Sequence, residues 1–199
     1  ENPEQMPGAV WFPEAKLSYA ENLLRRRDNA DALVFWGEDQ VKKRFSYGEL
    51  YNEVSRLAQA MLAAGLAAGD RVGAYMPNMP ETIIAMLAAN SIGAIWSSCS
   101  PDFGVQGVLD RFGQIEPKLV IACDGYFYNG KSHDNLEKVI SVLAALPSVE
   151  TTLIVPYSRK FPPIEDVPNA VLWDDFIADF EAQDVAFVRL PFNHPLYIM

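Results

Sequence analysis

GDRVGAYMPNMPETIIAMLAANSIGAIWSS, residues 69–98, decides the fold. Arg71–Tyr75 reads as a short strand, and Asn78 with Pro80 marks the start of a helix running to Ile92. Gly93 ends that helix, and Ala94–Ser98 reads as a second strand. A strand, a helix and a strand joined this closely form a right-handed crossover, which makes the two strands parallel.

The same rhythm continues downstream. Residues 105–115 read as a helix stopped by Pro117, and Leu119–Cys123 as a third, wholly apolar strand. Ser132 is expected to cap a helix with Leu136, Val139, Ile140 and Leu143 inward, ended by Pro147, before a fourth strand at Thr151–Val155. RKFPPIEDVPNA, residues 159–170, carries three prolines and reads as a loop. Val171–Trp173 is expected as a strand, Asp174–Glu181 as a short acidic helix, and Leu196–Met199 as a final strand.

Upstream, Ser18 and Glu21 have capping-box spacing, and Arg25, Arg26 and Arg27 would form the basic last turn of that helix. Ala32–Trp36 and Val41–Phe45 read as a hairpin turning at Gly37-Glu38-Asp39. Ser46 and Glu49 open a second capped helix, which Gly65 ends. The expected fold class is α/β: βα-alternating, with a mainly parallel sheet and helices on both faces. Residues 1–46 are expected as a helix-and-hairpin segment and 47–199 as an α/β subdomain.

Composition narrows the function classes. Of 199 residues, 50% are hydrophobic, too many for a disordered chain, and the net charge of −10 argues against general nucleic-acid binding. No apolar run is long enough to insert across a bilayer. The first residues lack the basic and apolar regions of a secretory signal, so the expected location is cytoplasmic. Cys99 and Cys123 lie in apolar stretches with no ligand spacing, and they read as free core thiols with no metal site. Glu1 at one end and the apolar Leu196–Met199 at the other suggest a piece of a larger enzyme.

Nothing in the chain forms a convincing nucleophile–base pair. G-x-G-x-x-G, G-x-x-x-x-G-K-[ST] and G-x-S-x-G are all absent, which disfavours a nicotinamide-dependent dehydrogenase. His133, at an expected helix start, and His194, before Pro195, suit capping or loop packing better than catalysis. Two loops stand out because both follow sheet strands, at the end where open α/β sheets bind ligands. The first is Trp96–Gly104 (WSSCSPDFG), whose small polar residues admit a close backbone approach beside a helix N-terminus near Val105. The plainer alternative is an ordinary loop in which Ser100 or Asp102 caps the helix. The second, Tyr126–Lys131 (YFYNGK), could hold a base and a phosphate, or its aromatics could simply cover the core edge.

AVWFPEAKLSYAENLL (9–24), WSSCSPDFG (96–104), GVLDRFGQIEPK (107–118), YNGK (128–131) and HPLYIM (194–199) resemble the AMP-forming acyl-CoA synthetases of the adenylate-forming superfamily. The resemblance runs from Trp11 to Met199 and implies part of the family's large amino-terminal domain. It implies a cytoplasmic ligase that uses ATP, Mg²⁺ and CoA, with acetoacetate as its acid, hence a place in ketone-body and lipid metabolism. Family members follow HPLYIM with a Ser/Thr/Gly-rich phosphate loop that these 199 residues do not include. No catalytic or metal residue is therefore carried over, the segment alone is expected to be inactive, and its partners would be small substrates and the rest of its own chain. The resemblance makes Lys131 a phosphate ligand of CoA, and Ser100, Pro101, Phe103 and Gly104 a wall of the CoA channel. Tyr128, where relatives carry a second basic residue, would stack on adenine, and Asp102 would repel phosphates unless it caps the next helix. Arg111 reads as a structural ion-pair residue. The alternative from another class is a stand-alone Rossmann-like module binding a nucleotide or a partner without catalysis.

Overall fold

A computed structural model describes residues 1–5 and 7–199. In chain order, β1 (Lys16–Leu17) and α1 (Tyr19–Leu23) precede the strands β2 (Asp31–Gly37) and β3 (Val41–Ser46). Then come α2 (Tyr47–Ala63), β4 (Arg71–Tyr75), α3 (Pro80–Ser91), β5 (Ile95–Cys99), α4 (Val105–Ile115) and β6 (Leu119–Cys123). β7 (Gly125–Tyr128) and β8 (Lys131–Asp134) lead to α5 (Leu136–Leu143) and β9 (Thr151–Val155). β10 (Ala170–Leu172), α6 (Trp173–Phe176) and β11 (Leu190–Pro191) complete the order.

Five strands form one parallel sheet in the order β10-β9-β6-β4-β5. Strand side chains alternate between its faces. Val72, Ala74, Ile121, Cys123 and Leu153 point to the core that holds α2 and α3, while Tyr75, Val120, Ala122 and Ile154 point to the one that holds α4 and α5. α3 is apolar nearly all round because it lies under both α2 and the sheet, with α1 packed on it as well. Gly73 gives Phe112 its place: a Cβ there would lie 3.1 Å from the Phe112 ring.

The expected parallel sheet with helices on both faces is therefore present, but several local expectations differ. Ser18 does accept the Glu21 amide at 3.3 Å, yet the Glu21 carboxylate takes the Arg189 guanidinium instead of closing a capping box. α1 stops at Leu23, so the three arginines lie beyond it: Arg26 pairs with Asp28, and Arg27 sits over the Tyr51 ring at 3.7 Å. The helix expected from Ser132 begins at Leu136. Asn135 stands at its N-cap, and Asp134 accepts the Leu136 amide at 2.9 Å. Ser132 itself lies in β8, because Asn129-Gly130 turns the chain back into a hairpin.

The acidic helix shrinks to four residues because Arg56 takes the carbonyls of Ile177 and Phe180. Leu196–Met199 makes a single parallel bridge, Tyr197 to Trp96, along the free edge of β5. The antiparallel pairing of β1 with β11 has no counterpart among the sequence expectations. Among the described residues no helix is long and apolar enough to cross a membrane.

Candidate functional site

Counting only the sheet's own strands, the order places the first between the second and the third, so the connections leave in opposite directions from β4. The crevice outside the carboxyl ends of β4 and β6 is the position where such sheets take ligands. Tyr75, the last residue of β4, donates its hydroxyl to the Phe103 carbonyl of the loop after β5 at 2.5 Å. From α5, Lys138 donates to the Pro101 carbonyl at 2.8 Å. Two donors from different elements thus fix the backbone of the 100–104 loop. Burial, foremost, pushes the Tyr75 hydroxyl well above the usual phenol range, which keeps it a neutral donor.

Within that loop the Ser100 hydroxyl donates to Asp102 at 3.1 Å, and the Asp102 amide donates back to Ser100 at 3.3 Å. Burial, foremost, and the nearby negative charge of Asp102 raise the Tyr126 hydroxyl above the usual phenol range. Neither Ser100 nor Asp102 caps α4: Gly104 is its N-cap residue, and no side chain serves the first amides. Phe103 is 39% exposed, with the Arg111 guanidinium 4.7 Å from its ring. Arg111 therefore pairs with an aromatic face and with the Gly107 carbonyl at 2.7 Å, and it forms no ion pair among the described residues. Phe103 and Arg111 border a cleft of about 450 Å³ shared with Met86, Trp96, Tyr197 and Ile198.

The Tyr126–Lys131 segment is a β-hairpin rather than a loop. Asn129 (φ 52°) and Gly130 (φ 72°) form its turn, which needs left-handed backbone at both positions. Tyr128 and Lys131 are cross-strand partners beside that turn, and both are exposed, Tyr128 by 61%. Lys131 has no ion-pair partner among the described residues. His133 stacks on Tyr126 with centroids 5.1 Å apart, in a strand rather than at a helix start. His194 packs its ring nitrogen on the Gly93 carbonyl at 3.1 Å. Lys138, which holds the Pro101 carbonyl and lies 5.4 Å from the Tyr126 ring, thus joins the 100–104 loop to the hairpin's base, while Tyr128 and Lys131 stand at its tip.

Several supports were invisible to sequence reasoning. Asp124, fully buried, accepts the amides of Tyr157, Ser158 and Arg159 and the Ser158 hydroxyl, at 2.6–3.0 Å. That fastens the segment after β9 against the hairpin's base. Tyr157 in turn sits between Phe35 of β2, at 6.0 Å, and Phe127 of β7, at 5.3 Å. Glu38, in the turn between β2 and β3, accepts the amides of Asn129 and Gly130, each at 2.8 Å. Cys99 and Cys123 are free and buried. Among the described residues no three His, Cys, Asp or Glu side chains group closely enough to hold a metal ion.

Comparison with known proteins places this geometry in context. The AMP-binding enzyme family matches residues 20–198. The chain is 57% identical over 197 residues to an acetoacetyl-coenzyme A synthetase of Rhizobium meliloti (strain 1021), covering 98% of this chain and 30% of that protein. It is 45% identical over 197 residues to an acetoacetyl-CoA synthetase of Gallus gallus, covering 95% of this chain and 29% of the relative. A solved acetoacetyl-CoA synthetase structure from Streptomyces lividans superposes with a TM-score of 0.88 at 37% identity, over 96% of this chain and 29% of its own. The chain thus spans about 30% of the length of the curated relatives it matches.

Proposed function

Because the chain belongs to the AMP-binding enzyme family, we propose that it forms the amino-terminal part of an ATP-dependent ligase joining acetoacetate to CoA. The observation that carries this reading is similarity along nearly the whole chain to synthetases of acetoacetyl-CoA. The proposed setting is the cytoplasm, in ketone-body and lipid metabolism.

The reaction divides into two displacements. A carboxylate is a poor electrophile, so one of its oxygens first attacks the α-phosphorus of ATP, and the bond to pyrophosphate breaks. The CoA thiol then attacks the acyl carbon, the bond to the AMP oxygen breaks, and the thiol proton is released. Mg²⁺ would offset phosphate charge in the first step. The described residues offer no cluster to hold it, so we assign no residue of this chain to that step.

The residues present do fit the nucleotide end of CoA. Lys131 is an exposed cation whose charge no carboxylate takes up among the described residues, and the Tyr128 ring beside it is open to stacking. In the proposed site Lys131 holds a phosphate and Tyr128 packs on adenine. Ser100, Pro101, Phe103 and Gly104 form the wall along which the thiol arm lies, held by Tyr75 and Lys138.

Acid-dependent exchange of labelled pyrophosphate into ATP, run over a panel of short acids on the complete ligase, tests the function. Acetoacetate should drive exchange most strongly. Exchange driven better by acetate or propionate than by acetoacetate would overturn the choice of acid.

A further inference from the structure

Two tight turns, far apart in the chain, meet at their tips. Glu38 (φ 47°) and Asp39 (φ 62°) turn β2 into β3, while Asn129 and Gly130 turn β7 into β8. Each carboxylate oxygen of Glu38 takes one amide of the second turn: Asn129 on one oxygen and Gly130 on the other, both at 2.8 Å and across more than ninety residues of sequence. Successive amides of a left-handed turn converge on one anion, and a charged acceptor makes such bonds strong.

The rest of the hairpin shows why this contact matters. Its strands are four residues each, a length with little stability of its own. Its base is pinned by Tyr126 on His133 and by Phe127 on Tyr157. Beyond Phe127 the tip carries Tyr128 and Lys131, and the polar contact that holds its turn is Glu38. The neighbouring acid, Asp39, is engaged with Lys42 at 3.2 Å. Since both Glu38 oxygens are spent on amides, Glu38 orders the tip without neutralising Lys131 through an ion pair.

We propose that Glu38 is a positioning residue for CoA: by clamping the Asn129-Gly130 turn it presents Lys131 and Tyr128 to the nucleotide phosphate and base. This rests on the CoA-site reading above. It runs against simple charge reasoning, since a carboxylate near a phosphate site should repel the ligand. Removing Glu38 therefore gives opposite results on the two views: lost positioning weakens CoA use, whereas lost repulsion strengthens it.

The test is a double-mutant cycle in the complete ligase, with Glu38→Ala, Lys131→Ala and the pair, reading the KM for CoA and acid-dependent ATP–pyrophosphate exchange. Glu38→Ala should raise the KM for CoA about three- to ten-fold. Pyrophosphate exchange should stay near wild type, which also reports that the variant is folded. The double variant should raise the KM by less than the product of the two single effects, because Glu38 acts partly through Lys131 and partly through Tyr128, and hydrogen exchange at the Asn129 and Gly130 amides should speed up in Glu38→Ala. If Lys131→Ala raises the KM while Glu38→Ala leaves it unchanged or lowers it, the positioning role is wrong and the CoA site stands. If Lys131→Ala itself leaves CoA use unchanged, the site reading falls and the role of Glu38 falls with it.

Discussion

The Asp124 carboxylate and Ser158 are bound twice over: one oxygen accepts the Ser158 amide at 3.0 Å and the other its hydroxyl at 2.7 Å. Asp124 is fully buried, and two further amides, of Tyr157 and Arg159, complete its shell. Gly125 lets this approach happen, because a Cβ there would lie 2.6 Å from the His133 carbonyl and collide with the Ser158 hydroxyl. The carboxyl end of β6 is thereby tied to the segment after β9, and the hairpin springs from that knot.

Replacing Asp124 with Ala should lower stability by about 2–4 kcal/mol, because it removes a fully buried acceptor shared by three amides and a hydroxyl that are themselves only partly exposed to water. Urea unfolding measures this. A loss below about 0.5 kcal/mol would mean that water satisfies these groups and that the knot is not a structural anchor.

Tyr75→Phe removes the hydroxyl that holds the Phe103 carbonyl. The expected loss is about 1 kcal/mol, with faster amide exchange confined to residues 100–104. A change spread evenly over the sheet would place the role of Tyr75 in core packing instead of in loop positioning.

Burial pushes the Cys123 thiol up to about 12, the neighbouring Asp124 adding to it, and burial also raises Cys99. At pH 8 about one Cys123 in ten thousand would be thiolate. A disulfide reagent such as DTNB should therefore modify neither cysteine in the native protein, and both should react once urea is added. Rapid labelling of either in the native state would contradict this burial.

In the capping box of α2, hydrogen bonds from the Ser46 amide, first, and the Ser46 hydroxyl hold the Glu49 carboxyl below the usual carboxylate range. A carboxyl lowered on folding adds stability above its unfolded value and loses it as pH falls through the folded one. The advantage of the native sequence over Glu49→Gln should be constant above about pH 5 and shrink toward pH 3 in urea titrations. An advantage that grew with acidity would reverse the assignment.

Much of the sheet was legible because a buried parallel strand is a short apolar run between turn residues, and LVIAC at 119–123 carries that signal unaided. The hairpin at 125–134 was missed although Asn-Gly directly after an aromatic run (YFYNG, 126–130) is a strong turn signal. Ser132 has capping chemistry too, and local propensity could not choose between the two. The pairing of Lys16–Leu17 with Leu190–Pro191 involves two residues on each side, too short to leave a periodic trace. Lys131 and Tyr128 were legible as candidates because they lie in the segment that follows a sheet strand. Glu38, Asp124 and Lys138 were not, since bonds from a side chain to a distant amide or carbonyl leave no pattern in sequence spacing.

Carboxyl-¹⁸O acetoacetate, given with ATP and CoA to the complete ligase, follows the proposed chemistry atom by atom. Acetoacetyl-CoA and AMP should form in equal amounts, with one ¹⁸O from each acid retained in the AMP phosphate. Label in inorganic phosphate with release of ADP, or a thioester formed without labelled AMP, would show that the acid is not activated by adenylation.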